Sequence, residues 1–200
     1  MHAVDHEAHY HAVAKFLHWL IALAIVGMLA VGWIMADDEL VSGPLRFSLF
    51  QWHKSIGITI LVLSLLRLSW RLMNPPPPLP AAMPQWERWA AHAAHILFYA
   101  LMIGLPLSGW VMVSASPYST VLYGLVPLPN LPFIPDMSDK KAFGEMAEDF
   151  HGALASITLG LLLLHIAAAW KHHLFERDDV LLRMAPRFTH GLLRRLRGGQ

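Results

Sequence analysis

Two hundred residues with a net charge of +1 set no strong electrostatic bias toward nucleic acid or an acidic partner, but 56% of them are hydrophobic and the mean hydropathy is +0.44. The apolar residues gather in four runs near the ~20 residues that cross a hydrocarbon core, which argues against a soluble domain. Cysteine is absent, and with it disulfides, thiolate metal sites, iron–sulfur clusters and covalent c-type haem attachment. Histidine, present thirteen times, is the strongest metal ligand left.

The sequence predicts an all-α integral membrane protein, a single domain over 1–200 built as a four-helix transmembrane bundle. Residues 1–14 carry His2, His6, His9 and His11 and read as a polar terminus without a role. Span one covers about 16–35, with His18 just inside it. Asp37, Asp38, Glu39, Ser42, Gly43 and Pro44 follow as an acidic turn. Span two covers about 51–73, with His53 at its start and Arg67 and Arg71 near its end. Asn74 to Pro84 contains six prolines, a stiff connector without helix. Span three covers about 89–113, enters with His92 and His95, and is expected to kink or lose ladder bonds at Pro106. The loop 114–149, rich in proline and aromatics, is expected to lie on the outer surface and partly cover the bundle. Span four covers about 150–170, and 171–200 is a basic tail. With the N-terminus inside, eleven Lys and Arg fall on the inner side against four outside, which places both termini on the cytoplasmic side.

Histidine depths carry the chemistry. His151 and His165 are fourteen residues apart, roughly 21 Å along a helix and about 40° from the same azimuth. His18 shares the inner depth of His165, and His53 the outer depth of His151. Two transverse pairs result, each drawn from different helices. Such pairs suit bis-imidazole haem, in which both axial positions are filled and the iron is fitted to electron transfer. Zinc is less apt, because its three or four ligands must converge at one depth. Arg67 lies fourteen residues after His53, at inner depth, where it either pairs with a haem propionate or snorkels to the interface. His95 is a rival inner ligand. If it is free, it is a candidate, with His172, for a quinone carbonyl and its proton.

Nearly the whole chain resembles the prokaryotic cytochrome b561 family. The resemblance rests on Phe16-Leu17-His18-Trp19, Trp52-His53-Lys54-Ser55-Ile56-Gly57, Ala91-His92-Ala93-Ala94-His95, Phe150-His151-Gly152, Leu164-His165 and His172-His173-Leu174-Phe175. It implies two haem b groups, His18 with His165 inside and His53 with His151 outside, exchanging electrons with ubiquinone. Some members resemble superoxide oxidases, so it also implies an oxidoreductase that takes electrons from an outer one-electron partner. The alternative is a haem subunit that docks a separate dehydrogenase or hydrogenase. The outer loops hold eight acidic residues against four basic ones, unfavourable to an anion on average, yet Lys54 with Arg46, Lys140 and Lys141 forms a possible local positive entrance. The expected partners are membrane lipid, quinone and an electron donor, with no nucleic acid.

Overall fold

The computed structural model describes residues 10–198, so the histidines at 2, 6 and 9 lie outside the described residues. Helix α1 spans Ala12–Ala36, α2 Gly43–Met73, α3 Gln85–Ala115 and α4 Lys140–Lys171. All four are long and apolar enough to cross a membrane. The predicted spans lie inside these helices, which run further on the outer side: α2 starts at Gly43 and α4 at Lys140. Hydropathy registers where hydrocarbon ends, whereas a helical hydrogen-bond ladder continues through polar residues until a stop signal.

Local chemistry supplies those stops. The His11 ring accepts from the Val13 amide (3.3 Å) at the head of α1, and Asp37 Oδ1 accepts from the amides of Glu39 and Leu40 just beyond its end. Pro44 occupies the first turn of α2, where no amide donor is needed. Asn74 ends that helix: its amide donates to the Trp70 carbonyl (2.8 Å), and the proline after it excludes further helical backbone. Residues 75–80 have no regular structure, as the proline content requires. Arg88 holds the following turn from above, donating to the carbonyls of Met83, Pro80 and Ala81. Pro106 sits within α3 without ending it.

The helices pack in chain order, α1 on α2, α2 on α3, α3 on α4. Ile21, Ile60 and Met102, one from each of the first three helices, form the central apolar contact, with Ala24, Ile25, Met28, Ile56, Leu63, Phe98 and Tyr99 around it. Helix α4 takes little part. Its buried residues are Ala147 and Thr158, so its remaining apolar surface faces lipid or a group larger than a side chain.

The outer loop contains a short antiparallel hairpin, β1 Thr120–Leu122 and β2 Val126–Leu128, paired Thr120 to Leu128. Its turn needs two successive left-handed residues, Tyr123 (φ 54°) and Gly124 (φ 72°). Glycine adopts this freely, but tyrosine pays on the order of 1 kcal/mol. Three contacts with α2 hold Tyr123 there: its amide donates to Ser55 Oγ (2.9 Å), its hydroxyl meets Thr59 Oγ1 (2.6 Å), and its ring lies edge-on to Trp52. Ser55→Ala should therefore cost about 1–2 kcal/mol by orphaning the Tyr123 amide. Faster hydrogen exchange confined to residues 120–128 would show it, and unchanged protection would refute it.

The basic tail is folded. A π-helical turn, His172–Glu176, extends α4, and α5 (Val180–Met184), a 3₁₀ turn (Arg187–Thr189) and α6 (His190–Leu196) follow. Leu182, Ala185 and Leu193 give this cap its own core. Trp19 Nε1 donates to the Met184 carbonyl (3.0 Å), and Arg183 to that of Pro78 (2.8 Å), so the cap is tied to α1 and to the proline connector.

Candidate functional site

At the outer end of the bundle, His53 on α2 faces His151 on α4 with ring centroids 6.3 Å apart and planes inclined by 72°. At the inner end, His18 on α1 faces His165 on α4, also at 6.3 Å, inclined by 62°. The two pairs anticipated from depth are thus brought together. A metal held between two imidazole nitrogens at about 2 Å each, with the ring radii added, requires centroids about 6 Å apart. Both pairs meet that requirement without hydrogen-bonding to each other. Among the described residues no three His, Cys, Asp or Glu side chains converge on one metal position.

The surroundings fit a flat group with an axial nitrogen on each side. The His53 Nδ1 atom is buried without a hydrogen-bond partner among the described residues. His151 lies against a stretch of α3 that has no side chain in its way: a Cβ on Gly109 would stand 3.1 Å from the His151 Cε1 atom and 3.4 Å from Nδ1. Ser108, the preceding residue, is within 2.9 Å of that Nδ1. The sequence reading missed both, although a proline followed by serine and glycine in a spanning helix marks a place where another group comes close.

The inner end is more crowded. His95 on α3 stands 6.2 Å from His165, inclined by 72°, so it matches the His18 separation. Phe98, one turn on, packs edge-on against the same ring at 5.2 Å. His165 is common to both possible pairs. Arg67 reaches across from α2 and donates through Nη1 to the Ala14 carbonyl (3.0 Å), one turn before His18. It lines a cavity of about 340 Å³ with Tyr10, Trp70, Arg71 and Tyr99. A second cavity of about 290 Å³ shares Tyr10 and Arg71 with the first and adds Arg88, His92 and His95. The named charged side chains lining the two are all arginines, an arrangement suited to anionic or carbonyl oxygen.

His172 stands apart from this. Its Nδ1 is 2.7 Å from Asp178 Oδ2 and its Nε2 is 3.3 Å from Glu87 Oε2, so carboxylates face both ring nitrogens. Lys171 Nζ bonds the other Glu87 oxygen at 2.6 Å. The arrangement ties the start of α3 to the end of α4. His173, fully buried, donates through Nε2 to the Leu193 carbonyl (2.9 Å) and pins α6. His95 lines a cavity and His172 a carboxylate pair, a distinction that motif spacing does not reveal.

On the outer face, two of the four expected cations are engaged. Arg46 pairs with Asp38, donates through Nε to the Met35 carbonyl and lies over the Phe50 ring. Lys141 is 3.8 Å from Glu145. Lys54 directly follows His53.

Comparison with known proteins accounts for this architecture. The sequence model of a family described as prokaryotic cytochrome b561 matches residues 9–187. "Cytochrome b561 homolog 2" of Escherichia coli K12 is 32% identical over 176 residues, covering 88% of this chain and 90% of its own. "Cytochrome b561 homolog 1" of the same organism is 30% identical, covering 86% and 94%. A "Probable superoxide oxidase CybB" of Yersinia pestis is 29% identical, covering 86% and 92%. A family match over nearly the full length, with four spanning helices and histidines set in facing pairs, means that the chain belongs to the prokaryotic cytochrome b561 family and is a membrane electron-transfer protein of the haem b class.

Proposed function

We propose that the chain holds two haem b groups, through His53 and His151 near the outer face and His18 and His165 near the inner face, and passes electrons between an outer one-electron donor and ubiquinone. The observation that carries this reading is the repetition of one ring separation, 6.3 Å, at both ends of α4. Haem held by these histidines would supply a one-electron carrier. The protein's own part is to hold four neutral imidazoles from three helices and to wall the carriers off with apolar side chains. Arg67, next to the inner pair, neutralises a propionate. The two termini lie in the cytoplasm, as the Lys and Arg distribution supports.

For the quinone, His95 and Arg71 are the supporting residues. Both line the same cavity, where an imidazole can hydrogen-bond a carbonyl and move a proton while a guanidinium steadies developing negative charge. His172 is the weaker member of this proposal, since its ring is hydrogen-bonded to Asp178 and faces Glu87. For the donor, superoxide is favoured by the coverage shared with the probable superoxide oxidase of Yersinia pestis, and Lys54 is the cation placed to draw it in.

Stopped-flow mixing of the purified, haem-loaded protein with superoxide, with and without ubiquinone, tests this directly. Rapid haem reduction followed by quinone-dependent reoxidation is expected. Reduction only after a dehydrogenase or hydrogenase partner is added would replace the proposal with the docking-subunit alternative. Lys54→Gln should lower the superoxide rate several-fold and weaken its dependence on ionic strength. An unchanged rate and salt slope would remove Lys54 from the entrance.

A further inference from the structure

The two histidines of the outer pair are not equivalent. Ser108 Oγ donates its single proton to the Leu105 carbonyl at 2.8 Å. With that proton engaged, the contact with His151 Nδ1 at 2.9 Å is satisfied when the ring N–H donates and the hydroxyl oxygen accepts. Accepting through Ser108 Oγ puts the ring proton on Nδ1, which leaves the lone pair on Nε2. Ser108 is buried at 7% exposure, so water does not compete for the contact. Gly109 completes the cradle, since any side chain there would press on the ring. His53, across the pair, has a buried Nδ1 with no such partner among the described residues.

We propose that Ser108 is a positioning residue for the outer haem: by accepting the Nδ1 proton of His151 it fixes the ring's tautomer and rotation and makes Nε2 a stronger donor. This rests on the reading of His151 as an axial ligand. A hydrogen bond at the far nitrogen raises the basicity of the ligating one, and a more basic ligand stabilises the ferric over the ferrous state. The chain therefore holds the outer iron at a lower potential than the same bis-imidazole set would have without the serine, and does so through one of the two ligands.

The test is a spectroscopic redox titration of the full-length, haem-loaded protein, with ferric low-spin g-values recorded alongside. In Ser108→Ala, the ferric-to-ferrous ratio of the outer haem at a fixed applied potential should fall about three- to tenfold, tenfold being 59 mV for one electron. The g-values of that haem should change, and the inner haem should not move. Ser108→Thr, which keeps the hydroxyl, should restore both. An unchanged outer potential in Ser108→Ala with both haems bound overturns the proposal. If Ser108→Ala loses the outer haem, retention by Ser108→Thr supports positioning, and loss in both variants means packing and overturns it. Separately, two haems surviving in His151→Ala would defeat the ligand reading itself.

Discussion

His165→Ala is expected to remove the inner haem and leave the outer one, halving the haem bound per protein in a pyridine haemochrome assay. The prediction is insensitive to the ambiguity at the inner end, because His165 stands 6.3 Å from His18 and 6.2 Å from His95 and belongs to either pair. Electron transfer from the outer face to quinone should fall by several orders of magnitude, since the intermediate carrier is gone. The partner is then found from the two single variants. His18→Ala should lose the inner haem, whereas His95→Ala should keep it and slow quinone reduction. The opposite pattern would move His95 into the ligand set and leave the proposed quinone cavity to its other lining residues, Arg71 and Tyr10.

The second large effect is structural. Glu87 is the shared carboxylate for Lys171 and His172, with 9% of its side chain exposed. Removing it leaves the Lys171 cation at the α3–α4 junction without its counter-charge and the His172 ring without a neighbouring carboxylate. Glu87 is buried, but Lys171 is largely exposed and solvent screens its charge, so the loss is smaller than for a fully buried pair. Glu87→Ala should therefore release the cap that begins at the π-helical turn, and limited trypsin digestion should cut at Arg177 and Arg183 well before any spanning helix. Glu87→Gln keeps an acceptor for Lys171 and should fall between wild type and alanine. Equal digestion of all three proteins would show that the cap is held by its own core and by Trp19 rather than by this carboxylate.

Much of the site was legible because a membrane simplifies inference. Depth follows from position in a span, and an imidazole in hydrocarbon needs a reason to be there, so His18, His53, His151 and His165 could be matched from spacing alone. What periodicity cannot show is how helices rotate and how close their backbones come. The approach of α3 to the His151 ring depends on the missing Cβ of Gly109, and the Ser108 contact on that approach. Neither produces a hydropathy signal. The hairpin was hidden because its strands are three residues long and its anchor, Ser55, belongs to an apolar span. His172 looked like His95 in sequence, two helix-end histidines near the inner face. Its carboxylate partners come from Glu87, 85 residues earlier, and from Asp178, beyond a π-helical turn that spacing does not announce.

Helix α4 carries one histidine of each facing pair, on a single stretch of backbone with no proline between them. Electron tunnelling falls off exponentially with distance, so a gap measured between separate elements would vary with every relative movement of those elements. Here the separation of His151 and His165 is set by hydrogen bonds within one helix and is indifferent to how α1, α2 and α3 shift around it. With haems at the two pairs as proposed, movement of the other helices would leave the length of the jump unchanged, and α4 would act as a ruler that keeps the throughput of the wire constant.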